Sequence, residues 1–217
     1  MGPALDPVSL YTERNLSYQR FIRIVAYPQG IRAYFLRSKL LRSNIHSLDA
    51  GCGSGTATLA LREALLSRGL SPGLMRGFDL TPKMLERFSG NLLAHEIEGV
   101  DLFQADILHL EELPDGWNNF DLIVSAAMLE YLPRERMVEA LSGLRSLLKE
   151  SGSLLLFITR QNWLMSLLVG KWWSAELYGA AELEQYFRLA GFTTVTFTKF
   201  PFPYKHLSLW GHIIEAK

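Results

Sequence analysis

Residues 48–56 read LDAGCGSGT, three glycines at alternate positions between a short apolar run and a segment with helical spacing. That pattern fits a sharp turn joining a strand to a helix. Glycine enters positive φ without steric strain and leaves the backbone bare, so a ligand can approach it closely. The helix that follows offers amide groups at its N-terminus. Such a unit sits at the carboxyl edge of a parallel sheet, where α/β folds bind small ligands. The spacing narrows the ligand. It is G-x-G-x-G at Gly51, Gly53 and Gly55, whereas a dinucleotide fingerprint needs its third glycine where Thr56 stands. No Gly-Lys-Ser/Thr follows, which removes the lysine-bearing phosphate loop. Asp49 lies immediately ahead of the glycines, where a carboxylate repels a pyrophosphate and suits a ligand carrying an ammonium or another cation. The plainer use of that acid, a tight turn beside a helix dipole, stays open.

Along the chain, short apolar runs alternate with helix-period segments, which implies a mainly parallel sheet covered on both faces. Strands are expected over 45–48, 74–78, 100–104, 120–125 and 153–159. A helix is expected over 57–67, with Leu59, Leu61, Leu65 and Leu66 toward its buried side and Gly69 ending it. Thr81 reads as the N-cap of another, with Pro82 at its first position and Leu85 and Phe88 pointing inward. Met137, Ala140, Leu141, Leu144 and Leu148 form a helical stripe that stops near Gly152, and a further helix spans 181–190, closed by Gly191. Two β-type runs follow, 193–200 and 209–215, with Pro201, Pro203 and Tyr204 between them and no helix, so they should pair antiparallel. The expected fold is α/β: a Rossmann-like, doubly wound, mainly parallel seven-stranded sheet ending in an antiparallel hairpin.

A chain of 217 residues with 48% hydrophobic and 20% charged residues suits one domain with a sizeable core. Within it, 1–40 reads as a helical cap over one end of the sheet, 45–160 as the ligand-binding core, 161–180 as an aromatic, lid-like insert and 181–217 as the closing helix and strand pair. Lys+Arg and Asp+Glu stand at 22 each, so no overall basic field favours nucleic acid as a partner. Cys52 is the only cysteine, which excludes an intrachain disulfide and a Cys-built zinc site; no metal centre is expected, and a reducing, cytoplasmic setting fits best. The opening residues lack the apolar core of a secretory leader. The greasiest stretch, WLMSLLVGKWW at 163–173, is too short to span a bilayer and contains Lys171.

Further acids appear in an informative order. Asp79 ends the second expected strand, slightly beyond the roughly 20 residues at which a ribose-binding acid is found. Asp106 follows the third, beside Ile107, and could accept from an adenine amino group while Ile107 covers the ring. Taken singly these are as often turn or cap acids. Taken in order, LDAGCGSGT, GFDLTPKML, QADIL and FDLIVSAAMLEYLP resemble the motif set of class I S-adenosylmethionine-dependent methyltransferases of the small-molecule type. The match covers roughly 45–160, and GAAELEQYFRLAGF with the closing strands agrees with that family's end. The resemblance implies S-adenosylmethionine as cofactor and S-adenosylhomocysteine as product. It places Asp49, Ala50, Gly51, Gly53 and Gly55 around the methionine part, Asp79 at the ribose and Leu80 against the adenine. Asp106 and Ile107 would hold the adenine edge and face, with Ser125, Ala126 and Leu129 as the floor near the sulfonium. Many relatives carry His after the Leu-Glu of the fourth motif; here Tyr131 stands, so proton removal by histidine from that position is in doubt.

Methyl transfer from a sulfonium is a one-step displacement, and a protein accelerates it mainly by alignment and water exclusion. A base is needed only where the acceptor must lose its proton early. The chain lacks the Asn/Asp-Pro-Pro-Tyr and Pro-Cys signatures, which leaves O-, N- or C-methylation of a small molecule. The segment RQNWLMSLLVGKWWSAELY at 160–178 is either a helix packed on the core or a cover over a large apolar or aromatic acceptor. A shallow peripheral membrane contact through its tryptophans is a further use, though it lacks a cationic face. Tyr11, Tyr18, Tyr131, Arg160, Trp163 and Trp173 are the candidate acceptor-site residues, with Tyr18 and Tyr131 the candidate catalytic pair. Tyr178, Tyr204 and His206 are candidates from the closing elements, while His46, His95 and Glu111-Glu112 read as surface or packing residues. The competing readings are a nicotinamide dehydrogenase, opposed by the glycine spacing, and a non-catalytic, methyltransferase-shaped scaffold subunit.

Overall fold

The structure, a computed structural model, describes residues 26–160 and 177–217. Its elements, in order, are α1 (Tyr27–Arg37), β1 (Ile45–Ala50), α2 (Thr56–Ser67), β2 (Pro72–Asp79), α3 (Pro82–Ala94), β3 (Val100–Gln104), β4 (Phe120–Ala126), α4 (Met137–Ser146), β5 (Leu148–Thr159), α5 (Ala180–Leu189), β6 (Val195–Thr198) and β7 (Gly211–Ala216). The seven strands form one sheet in the order β3-β2-β1-β4-β5-β7-β6. β1 to β5 run parallel, and β7 lies antiparallel between β5 and β6. The chain thus winds outward from β1 in both directions. The order reverses between β1 and β4, which opens a crevice at their carboxyl ends, the usual ligand position in open α/β sheets.

Alternation along the central strands sorts the core into two layers. Leu48, Ile123, Leu154, Leu156 and Ile214 meet Met137, Leu141 and Leu144 of α4 and Leu183 and Phe187 of α5 on one face. Leu122, Val124, Leu155, Phe157 and Ile213 meet Ile31 and Phe35 of α1 and Ala60, Leu61 and Leu65 of α2 on the other. Phe88 and Leu92 of α3 pack with Cys52 beside α2.

Several expectations shift. The described part of the N-terminal region packs on a sheet face rather than over one end, because Ile31, Tyr34 and Phe35 give α1 an apolar stripe. Leu66 is 50% exposed, and the burial expected of it is carried by Ala57, Ala60 and Ala64, whose small side chains bring α2 close to the sheet. Leu85 is only partly buried, and Met84 points inward in its place. The helix expected to run through Leu148 ends at Ser146. Leu148 instead opens β5 opposite Phe120, so that strand starts five residues earlier than its apolar run suggests. A 3-10 helix, Tyr204–Leu209, occupies the link between the closing strands, where no helix was expected.

The residues that flank 161–176 meet on the scaffold. Arg160 and Tyr178 form an isolated parallel bridge. Arg134 donates to the carbonyl of Leu177 at 2.5 Å, pairs with Glu182 and lies 4.7 Å over the Tyr178 ring. No helix among the described residues is long and apolar enough to cross a membrane.

Candidate functional site

The glycine loop is built by its contacts with β2. The amides of Gly51 and Cys52 both donate to the carbonyl of Phe78 at 2.9 Å, and the amide of Gly53 donates to Asp79 Oδ2 at 2.8 Å. Gly51, Gly53 and Gly55 all have positive φ, at 73°, 54° and 91°. They differ in what surrounds them. A Cβ on Gly55 would lie 2.2 Å from the Phe88 ring, and one on Gly51 2.3 Å from Met128 Cγ, whereas one on Gly53 would meet nothing within 4 Å. The bare backbone at Gly53 therefore faces open space, and the other two glycines are fixed by packing.

Of the two uses left open by the sequence position of Asp49, the structure shows the plainer one, an acid at the helix N-terminus. Asp49 is 4% exposed, and its Oδ2 accepts from the amide and the hydroxyl of Thr58 at 3.0 and 2.6 Å, satisfying a free donor in the first turn of α2. Its Oδ1 is buried and has no hydrogen-bond partner among the described residues. Burial pushes its carboxyl up to about 6, against the lowering by Thr58, with the nearby Asp79 charge adding to the rise.

Asp79 splits its carboxylate between the loop and the next helix: Oδ2 takes Gly53 and Oδ1 takes the amide of Thr81 at 2.9 Å. Thr81 holds the N-cap position as expected, but its hydroxyl does not cap the helix and faces Asp79 instead. Burial raises the Asp79 carboxyl above its usual value, while those amide bonds lower it. Both oxygens keep lone pairs for hydroxyl donors. Asp79→Ala removes the acceptor of Gly53 and so loosens the turn itself. Calorimetric titration should show adenosyl-ligand affinity falling at least about 30-fold, the size of one charge-assisted hydrogen bond, with any loosening of the turn adding to it.

Leu80 is 52% exposed at the rim beside Asp79. Asp106 is partly buried and turns back on its own backbone, accepting from the amide of Leu108 at 2.9 Å. Ile107 lies mostly in the core cluster and presents little surface. Ser125 and Leu129 are fully buried under the β4 end, and Ala126 is partly exposed. The hydroxyl of Ser125 has no hydrogen-bond partner among the described residues. After β4, Ala127 takes a left-handed conformation (φ 54°), which turns the chain so that Met128 covers Gly51. A 3-10 turn, Leu129–Tyr131, then leads to partly buried Tyr131.

Of the acceptor-side candidates, Arg160 is exposed at the end of β5, its amide bonded to the carbonyl of Trp210. Tyr11, Tyr18, Trp163 and Trp173 lie outside the described residues. Tyr178 is fully buried against the core, which removes it as a surface-reaching residue, and Tyr204 packs partly buried beside α1. His206 is exposed on the closing 3-10 helix. His46, His95, Glu111 and Glu112 are exposed, as read from sequence.

Three residues that sequence reasoning passed over belong to this edge. Met128 covers Gly51. Tyr27 of α1 lies within the fields of Glu130, Asp49 and Tyr131, and burial with those charges pushes its hydroxyl well above its usual value. Glu130, 1% exposed, accepts from the hydroxyl and the amide of Thr159 at 2.7 and 3.2 Å, and burial pushes its carboxyl up to about 7. An ionisable residue inside the apolar stretch MLEYL was the available signal for Glu130.

Comparison with known proteins agrees with this geometry. Residues 41–186 match a family described as a methyltransferase domain. Demethylmenaquinone methyltransferase of Staphylococcus aureus is 29% identical over 152 residues, covering 68% of this chain and 58% of that protein. A Staphylococcus epidermidis protein of the same name is 28% identical over the same coverage. This chain therefore spans little more than half the length of those curated relatives. Magnesium protoporphyrin IX methyltransferase from Synechocystis, solved with bound SAH, superposes with a TM-score of 0.71 at 17% identity, covering 96% of each chain, a likeness of fold.

Proposed function

The chain belongs to the methyltransferase-domain family, and from that premise we propose that it transfers a methyl group from S-adenosylmethionine to an O, N or C nucleophile of a small apolar or aromatic metabolite. The observation that carries this reading is the buried, unpartnered Oδ1 of Asp49 beside the open backbone of Gly53. An anionic oxygen there matches the ammonium of an adenosyl-amino-acid ligand and opposes a pyrophosphate. Asp79 accepts from the ribose hydroxyls, and Leu80 lies along the adenine, whose edge and face meet Asp106 and Ile107. Ala50, Gly51 and Gly55 shape the methionine cradle, and Ser125, Ala126 and Leu129 form its floor. When bound, S-adenosylmethionine supplies a methyl group already activated on a sulfonium. The chain's own part is to hold the acceptor in line and exclude water, a class of contribution that reaches about 7–11 kcal/mol of barrier lowering in well-oriented reactions.

Tyr131 and Arg160 are assigned to the acceptor together with Tyr11, Tyr18, Trp163 and Trp173, all of them from sequence. Tyr131 and Tyr18 are the proposed catalytic residues, orienting the acceptor or taking its proton. The names of the curated relatives and the structural neighbour, a demethylmenaquinone and a porphyrin methyltransferase, support a flat, apolar ring as the acceptor class. A free, buried Cys52 supports a cytoplasmic setting.

Melting curves recorded with S-adenosylmethionine, S-adenosylhomocysteine and NAD test the reading. At about 100 times Kd a ligand stabilises by about 2.7 kcal/mol, which for a chain of this size raises Tm by roughly 5–10 °C. Both adenosyl ligands are expected to give that rise and NAD none. A rise with NAD alone overturns the assignment.

A further inference from the structure

If the site takes an adenosyl-sulfonium as proposed above, Asp49 faces the part of the ligand that cofactor and product share, its ammonium. Cofactor and product differ at the sulfur, which carries a methyl group and a positive charge in one and neither in the other. A side chain able to tell them apart must put charge near the end of β4, beside the floor residues Ser125, Ala126 and Leu129.

Glu130 is placed there. The left-handed turn at Ala127 folds the chain back, and the 3-10 turn that follows carries Glu130 inward toward Thr159, the last residue of β5. Among the described residues, both of its hydrogen-bond donors, the Thr159 hydroxyl and amide, are neutral. A buried carboxylate held by neutral donors has an unmet demand for positive charge. The same side of the sheet holds the unpartnered Asp49 Oδ1, and Tyr27 lies within the fields of both carboxylates.

We propose that Glu130 is a specificity-determining residue whose buried carboxylate favours the sulfonium cofactor over its neutral thioether product. A buried charge of this kind acting on the sulfonium is expected to shift the relative affinity by about tenfold. The preference serves turnover: once the methyl leaves, the charge that held the ligand at this end is gone.

Titration follows. Among the described residues, Glu130 is held by Thr159 of β5 and shares the surroundings of Tyr27 of α1 with Asp49 at the end of β1 and Tyr131 on its own turn; Asp79 lies in turn near Asp49, and exposed Arg160 follows Thr159 in the chain. Burial pushes Glu130 up to about 7, so it is largely neutral at pH 6 and ionised at pH 8. Asp49, pushed up to about 6, acts on the shared ammonium and so changes both affinities together.

The test is calorimetric titration of the full chain with S-adenosylmethionine and S-adenosylhomocysteine at pH 6 and pH 8. In the wild-type protein, the ratio of product Kd to cofactor Kd should rise several-fold from pH 6 to pH 8. Glu130→Gln should lower the pH 8 ratio about tenfold and abolish its pH dependence, whereas Asp49→Asn should weaken both ligands by a similar factor. A wild-type ratio that stays flat with pH overturns the proposal, as does an unchanged ratio in a folded Glu130→Gln that binds both ligands. Thr159→Val provides a second variant: it removes the hydroxyl donor, raises the carboxyl further and should move the pH transition upward, and a transition left in place counts against Glu130. Binding of neither ligand by the wild-type protein is a different result, which overturns the proposed function itself.

Discussion

Asp49→Asn is expected to lose adenosyl-ligand binding by at least about 100-fold and yet to melt higher than the wild-type protein at pH 8 without ligand. The substitution keeps the shape of the side chain. The amide oxygen can accept from Thr58 as Oδ2 does, and the amide nitrogen takes the place of the unpartnered Oδ1. What it removes is a buried charge. Burial raises the folded-state carboxyl from 3.8 to about 6, so between those values the folded chain holds a proton that the unfolded chain has released. Stability of the ligand-free protein therefore falls as pH rises through that window and stays low above it. One pKa unit corresponds to about 1.4 kcal/mol, which makes the penalty about 3 kcal/mol at pH 8. Recovering about 2 kcal/mol of it raises Tm by roughly 5 °C in a chain of this size. Melting curves at pH 5 and pH 8, paired with binding titrations, check both halves. A variant that melts lower at pH 8, or binds normally, contradicts the role given to this oxygen.

The second large effect separates two glycines that look alike in sequence. Gly55→Ala places a methyl group 2.2 Å from the Phe88 ring at a φ of 91°. A left-handed non-glycine residue costs about 1–2 kcal/mol, and forcing Phe88 off α3 adds about 1–3 kcal/mol of overpacking. Denaturant melts should show a loss of about 3–4 kcal/mol. Gly53→Ala meets no atom within 4 Å, so its stability loss is only the backbone part, about 1 kcal/mol. Its methyl group, however, enters the space assigned to the ligand, and affinity should fall at least about 100-fold. Equal destabilisation of the two variants would mean that the loop rearranges.

The acids of the candidate site could be located in the sequence because they are local to strand ends. Asp49, Asp79 and Asp106 each follow a recognisable apolar run, and the sheet brings the ends of β1, β2 and β3 side by side. What escaped notice depends on contacts across long separations. Glu130 is defined by Thr159, 29 residues away, and Tyr27 by charges on β1 and on the turn after β4. No periodicity announces either. The end of α4 was misread for a related reason. Leu144 and Leu148 keep helical spacing, but pairing of Leu148 with Phe120 claims it for β5. Leu66 also fits a helical stripe by number, yet the face of α2 that meets the sheet is filled by Leu61 and Leu65 with Ala57, Ala60 and Ala64.

The stems of the aromatic insert meet on the scaffold itself, through the Arg160–Tyr178 bridge and the hold of Arg134 on Leu177 and Glu182. The entropy of bringing those two ends together is thus largely met before the intervening residues adopt any arrangement, and each doubling of a loop's length adds only about 0.6 kcal/mol. Substitution, lengthening or wholesale exchange of 161–176 leaves the seven strands little disturbed. The acceptor role proposed for this segment is thus free to change in evolution without altering the strand ends proposed to hold the methyl donor.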